Sequence, residues 1–195
     1  MKGVDMKILL LGDSLFAGWE GQFEPHINYS LKQEEPDLEI WNLAESGDNS
    51  FDLLEKLDKT EIGGADLVFV WIGANDLATH KQVYLGEFQD NLLKIVERLR
   101  ASYAAHQMTF LGPAPVDEQK QLYRTNHLVG YYSDMVEKVA KLSDCHFISM
   151  QQVFGQAPFP IEEVLRGRQD DGLHFGSLGY GILAQAILGH IKNKT

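Results

Sequence analysis

A serine, an aspartate and a histidine in this chain stand where they can build a nucleophile. The apolar run Ile8-Leu9-Leu10-Leu11 passes straight into Gly12-Asp13-Ser14-Leu15, so Ser14 is delivered at a strand end where a helix would begin. A free serine hydroxyl is a weak nucleophile at neutral pH and needs a base within hydrogen-bond reach. Far along the chain, Asp170-Asp171-Gly172-Leu173-His174 sets a carboxylate three residues before an imidazole. On one tight turn, that spacing lets the carboxylate hold Nδ1–H while Nε2 faces outward as a base. A further run, Val70-Trp71-Ile72-Gly73-Ala74-Asn75-Asp76, carries an amide donor, Asn75, to a strand end. Another, Asn42-Leu43-Ala44-Glu45-Ser46-Gly47, ends in a glycine whose backbone N–H can face a ligand. Both donors would stand at the edge of the sheet where Ser14 is delivered, although the glycine alone is a weak signal.

Each fragment also has a plainer reading. A serine after a strand is an ordinary N-cap, and the Ser14 fragment taken alone favours that role. Asn and Asp after glycine can simply build a turn. Gly12-Asp13-Ser14-Leu15-Phe16 lacks the second glycine of the Gly-x-Ser-x-Gly elbow, and no Gly-x-Gly-x-x-Gly follows this strand. Neither the common α/β-hydrolase arrangement nor a dinucleotide site is indicated. A metal site at Asp171 and His174 would need partners, but the chain has no His-Glu-x-x-His and no second Cys or His at ligand spacing. No metal and no cofactor are therefore expected. His26, His80, His106, His127, His146 and His190 have no comparable setting and read as surface or core residues. The single cysteine, Cys145, lies in an apparent strand, which suggests a buried, inert thiol and excludes an internal disulfide.

The elements that must position these groups follow from periodicity. Five short apolar runs read as strands: Lys7 to Leu11, Glu39 to Leu43, Asp66 to Ile72, Met108 to Leu111 and Cys145 to Ile148. Between them, segments with helical spacing recur, most clearly Phe88, Leu92, Ile95, Val96, Leu99 and Tyr103, and later Leu178, Ile182, Leu183, Ile187 and Ile191. Strands alternating with helices predict an α/β fold with a parallel sheet covered on both faces. Ligands in such folds bind beyond the carboxyl ends of the strands. Gly112 to Arg124, the longest irregular stretch, reads as a surface loop.

At 195 residues, without linker, repeat or composition break, the chain is expected to form one domain over residues 1–195. Its 17 Lys and Arg against 28 Asp and Glu give a net charge of -11, opposite to what a phosphate backbone or anionic lipid selects. Nucleic acid is excluded as a partner on that ground. Residues 1–100 hold 9 basic and 19 acidic side chains, and the run Glu34, Glu35, Asp37, Glu39 reads as a solvated face. The longest unbroken apolar stretch, Leu67 to Ala74, is far short of the ~20 residues of a membrane span. The apolar block after Lys7 is shorter than that of a secretory signal, and cytoplasmic residence is the expectation.

Taken together, the fragments resemble the blocks of the GDSL or SGNH hydrolase family of esterases and acylhydrolases. Gly12-Asp13-Ser14-Leu15 resembles the first block, Gly47 falls at the glycine of the second, Gly73-Ala74-Asn75-Asp76 resembles the third, and Asp171-Gly172-Leu173-His174 the last. The resemblance implies a flavodoxin-like, three-layer α/β/α fold with a five-stranded parallel sheet. It implies Ser14 as nucleophile, His174 as base, Asp171 as its orienter, and an oxyanion hole of the Ser14 N–H, the Gly47 N–H and the Asn75 side chain. The implied substrate is a small-molecule ester. Short-chain carboxylesterase, deacetylase of acetylated sugars, and lysophospholipase or thioesterase stay open, as does a catalytically silent carbohydrate-binding module on the same fold. Two positions depart from the pattern: Ala44 stands where the second block has an earlier glycine, and Phe175 where proline often follows the histidine. Phe16, Trp19 and Trp71 can line an acyl pocket, although aromatics beside strand ends more often belong to the core.

Overall fold

The computed structural model describes residues 6–194. Among them, five strands form one parallel sheet: β1 (Lys7–Gly12), β2 (Glu39–Asn42), β3 (Leu67–Trp71), β4 (Met108–Leu111) and β5 (His146–Ile148). Their order is β2-β1-β3-β4-β5, that of flavodoxin-like doubly wound sheets. All five expected strands are present, and each end lies within one residue of its sequence-based boundary. β3, Leu-Val-Phe-Val-Trp, is buried at every residue, because a central parallel strand covered on both faces has no side on which polar residues would alternate. At the end of β1, Gly12 pairs with Trp71. A Cβ on Gly12 would lie 2.3 Å from the Trp71 carbonyl oxygen, so the two strands meet this closely only through glycine.

Helices cover both faces: α1 (Ser14–Ala17), α2 (His26–Glu34), α3 (Ser50–Lys59), α4 (Leu85–Arg100), α5 (Asn126–Leu142), α6 (Met150–Gly155), α7 (Ile161–Val164) and α8 (Ser177–Lys192). α2 packs on α8, while α3 packs on α4 and α4 on α5, which makes the two outer layers. α4 buries Phe88, Leu92, Ile95, Val96 and Leu99, the stripe its spacing foretold. Each such side chain removed from water contributes ~1.5–3 kcal/mol.

Three expectations need correction. α8 turns Tyr180, Leu183, Ala184, Ile187, Leu188 and Ile191 inward, leaving Leu178 and Ile182 only partly buried. This helix is apolar nearly all round, so spacing alone does not choose its inner face. The 112–125 connection is not simply a surface loop, since Gly112, Pro113, Ala114 and Val116 are buried before the chain emerges. Cys145 precedes β5 and is half-buried, its thiol 3.3 Å from the Ser143 carbonyl oxygen; burial pushes its pKa up, which favours the thiol over the thiolate. No described helix is long and apolar enough to cross a membrane.

Candidate active site

Ser14, Gly47, Asn75, Asp171 and His174 all line one cleft of about 970 Å³. Ser14 follows β1, Gly47 follows β2 and Asn75 follows β3, so the cleft opens at the carboxyl edge where the chain turns from β1 toward opposite sides of the sheet. The N-cap of α1 is Asp13, whose side chain accepts from the Leu15 N–H at 2.9 Å. Asp13 thereby takes over the capping role that the fragment had suggested for Ser14, and the Ser14 hydroxyl is left to face the cleft.

That hydroxyl lies 2.9 Å from His174 Nε2. His174 Nδ1 lies 2.7 Å from Asp171 Oδ2. The other Asp171 oxygen accepts the backbone N–H groups of Leu173 and His174 at 3.0 and 2.9 Å, so the carboxylate closes the tight turn that presents the ring. Burial alone would push the Asp171 carboxyl up, but the bonds from the His174 backbone and ring and from the Leu173 N–H outweigh it and hold its pKa below the ordinary value. A carboxylate on Nδ1 leaves Nε2 free to accept the serine proton. Asp170, the neighbouring carboxylate, is exposed and pairs with Lys120 at 2.6 Å.

In the same cleft, Asn75 Nδ2 donates to the Asp48 carbonyl oxygen at 2.9 Å. Gly47 has φ +95, a left-handed conformation that glycine adopts without strain, and it is exposed to the cleft. The loop around it is tied down from below. Lys56 Nζ donates to Leu43 O at 3.1 Å and to Asp48 Oδ2 at 2.6 Å. Asp76 accepts the Ser50 N–H at 3.0 Å, which fixes the start of α3. Asn42 bridges the Phe16 carbonyl and Asn28 and accepts the Ala44 N–H, so Ala44 sits in an anchored turn where the family pattern has glycine.

Of the three aromatics considered for the cleft, only Trp19 lines it, with 57% exposure. Phe16 and Trp71 are core residues packed edge to face at 5.2 Å, and the Trp71 indole N–H donates to the Gly112 carbonyl at 2.9 Å. Phe175 joins them, fully buried against Trp71, Phe154 and Tyr180, which accounts for an aromatic where the family pattern often has proline. Sequence reasoning missed three participants. Asp13 and Asp76 were inside recognised blocks but had no separate signal, and Arg124 reaches the cleft from the β4–α5 connection with none at all.

Asp13 is a buried carboxyl next to further carboxylates. Burial pushes its pKa up to about 7 against the pull of the Leu15 N–H, with Asp76 and Asp48 adding to the rise and Arg124 opposing it. Burial likewise pushes Asp76 up to about 6 despite its bonds to Ser50. A carboxyl whose folded pKa exceeds its unfolded value binds protons more tightly when folded, so its contribution to stability is full below pH ~4 and is lost as pH rises toward ~7. Asp13→Asn keeps the capping oxygen but cannot ionise. Between pH ~5 and ~8 the unfolding free energy of the variant, from urea titration, should therefore fall less than that of the wild type, by a difference of ~2 to 3 kcal/mol. Parallel profiles of the two proteins would show that Asp13 does not titrate in this range.

At its β1 switch point the flavodoxin-like sheet joins Ser14, His174 and Asp171 by hydrogen bonds, with Gly47 and Asn75 lining the same cleft. The model of the GDSL-like lipase/acylhydrolase family matches residues 10–182, and the chain belongs to that family. It is 29% identical over 132 residues to the isoamyl acetate-hydrolyzing esterase of Saccharomyces cerevisiae, covering 61% of this chain and 53% of the yeast protein. The chain spans about half the length of the curated relatives it matches. Among solved structures, the lipase/acylhydrolase from Enterococcus faecalis superposes with a TM-score of 0.80 at 22% identity, over 97% of this chain and 96% of that one. Axe2, an acetylxylan esterase from Geobacillus stearothermophilus, superposes with a TM-score of 0.72 at 22% identity, over 98% and 96%. At these identities the two structures speak for the fold.

Proposed function

We propose that the chain is a serine esterase that hydrolyses short-acyl carboxylic esters, acetyl esters above all, through an acyl-enzyme. The observation that carries this reading is the unbroken chain of contacts from Asp171 through His174 to Ser14, at 2.7 and 2.9 Å. In the first step, Ser14 Oγ attacks the ester carbonyl carbon and its proton passes to His174 Nε2. Asp171 stabilises the imidazolium, while the Ser14 N–H, the Gly47 N–H and Asn75 Nδ2 face the oxyanion. Collapse of the tetrahedral intermediate breaks the bond to the alcohol, which leaves with the proton held by His174. A water molecule, deprotonated by His174, then repeats the attack on the acyl-Ser14 and releases the acid.

The short acyl group follows from what the cleft lacks and what it offers. Phe16 and Trp71, the bulky apolar side chains nearest in sequence, are sealed in the core. The groups that do reach the cleft include Glu20, Glu45 and Gln169 beside Trp19, a wall that favours a polar alcohol part and gives a long acyl chain little to bury against. The name of the yeast relative, an esterase acting on an acetate, points the same way.

The test is a series of p-nitrophenyl esters of rising acyl length, run beside an acetylated sugar and a serine-directed fluorophosphonate. Relative to acetate, kcat/KM should fall by ~10-fold or more by the octanoate, a loss of ~1.4 kcal/mol in transition-state binding. A kcat/KM that rises steadily to the octanoate would assign the cleft to lipid acyl chains. Absence of both turnover and labelling would leave a binding module on a hydrolase fold.

A further inference from the structure

Arg124 lies 49 residues from Asn75 in sequence but beside it in space. Its Nε donates to the Ala74 carbonyl at 2.7 Å, one terminal nitrogen to Gln121 Oε1 at 3.1 Å, and the other to Asn75 Oδ1 at 3.2 Å. The guanidinium is half-buried on the cleft wall, with the carboxyls of Asp13 and Asp171 in its field. A planar fork held at several donors has little freedom to turn, which suits it to fixing a partner's orientation.

The partner in need of fixing is an amide. A carboxamide can place its oxygen and nitrogen in either of two orientations, and only one of them serves an oxyanion hole. In the observed orientation, Asn75 Nδ2 donates to Asp48 O and Oδ1 accepts from Arg124. With the amide turned over, oxygen would face the Asp48 carbonyl oxygen and NH2 would face the guanidinium, so both bonds would be lost and a cation would oppose two donors. The Asp48 bond takes one N–H of the amide, and the second has no partner among the described residues.

We propose that Arg124 is a positioning residue of the oxyanion hole, holding the Asn75 amide so that the N–H not bound to Asp48 faces the oxygen of the ester undergoing attack. This rests on the esterase reading above, in which Asn75 meets the oxyanion. Arg124 itself acts through Asn75, so its removal should lower the rate of the chemical step and spare ground-state binding.

The experiment is a double-mutant cycle on the full chain with p-nitrophenyl acetate, comparing wild type, Arg124→Ala, Arg124→Lys, Asn75→Ala and the Arg124→Ala/Asn75→Ala pair. Arg124→Ala should lower kcat by ~10 to 100-fold with KM within about twofold, the scale of a misplaced catalytic group. Asn75→Ala should lower it by ~100 to 1000-fold. The pair should match Asn75→Ala within about threefold, because an orienter has nothing left to orient once its target is gone. Added guanidinium ion should restore part of the activity of Arg124→Ala and none of that of the pair. Arg124→Lys keeps the charge but not the fork, and serves if the alanine variant folds poorly: it should show the same selective loss in kcat.

The proposal is overturned if Arg124→Ala keeps kcat within about threefold of wild type, if its effect lies in KM alone, or if the two losses multiply in the pair. Those outcomes leave an impaired Asn75→Ala and the esterase reading standing. Wild-type kcat in Asn75→Ala would instead overturn the oxyanion hole itself, and this proposal with it.

Discussion

Ser14→Ala should abolish ester hydrolysis, lowering kcat by ~10⁶, and should remove fluorophosphonate labelling altogether while leaving thermal stability close to that of the wild type. The size follows from the unit that is lost. Without Oγ, His174 Nε2 has no proton to accept, and Asp171 orients a base that has no task. His174→Ala should be about as damaging, since groups that act as one fail together and their losses do not add. The unchanged stability follows from the division of labour at the end of β1. Asp13 carries the cap of α1, so the Ser14 hydroxyl is not needed to satisfy the first helical turn. Label carried by any serine other than Ser14, or collapse of the fold in Ser14→Ala, would show that the hydroxyl has a different purpose. Circular dichroism and intact-mass measurement of the labelled protein decide between these outcomes.

The sheet, and the residues that its strand ends bring into one cleft, were legible in the sequence because both are written locally. An unbroken apolar run such as Leu67 to Trp71 declares a buried parallel strand without reference to anything else in the chain. The blocks containing Ser14, Asn75 and Asp171 to His174 each sit where a strand or a turn ends, and the topology alone brings those ends together. What was illegible depends on distant partners. Whether Ser14 or Asp13 caps α1 turns on a rotamer that neighbouring residues do not dictate. Phe16 and Trp71 look alike to Trp19 from sequence, and only their packing against Phe175 decides that two are core and one is rim. Arg124 lies in an irregular stretch with no periodicity, and its use is visible only once Ala74 and Asn75 are placed beside it. α2 was also hard to see, because its N-cap, Pro25, has no side chain that can accept a capping bond, and the helix buries only His26, Ile27, Asn28 and Leu31.

The second large effect separates two adjacent carboxylates. Asp171→Asn should lower kcat on an activated ester by ~10⁴ at pH ~7 to 8, the cost of replacing the same kind of orienter by its amide in a serine protease. The amide can still accept the Leu173 and His174 N–H groups through its oxygen, so the turn survives and the loss is chemical. Its NH2, set against Nδ1 at the 2.7 Å contact, would require Nδ1 to accept and so would move the ring proton to Nε2. A histidine protonated at Nε2 donates to Ser14 Oγ and cannot take its proton. Asp170→Asn should change kcat less than about tenfold, since Asp170 turns away to an exposed pairing with Lys120 that water and salt already screen. Its φ of +48 is also one that asparagine tolerates, so the backbone has no reason to shift. With circular dichroism confirming both folds, a greater loss in Asp170→Asn would mean that the working turn is built one residue out of register from the one described. Near-wild-type rates in both variants would leave His174 oriented by a backbone group and reduce the unit to a serine and a histidine.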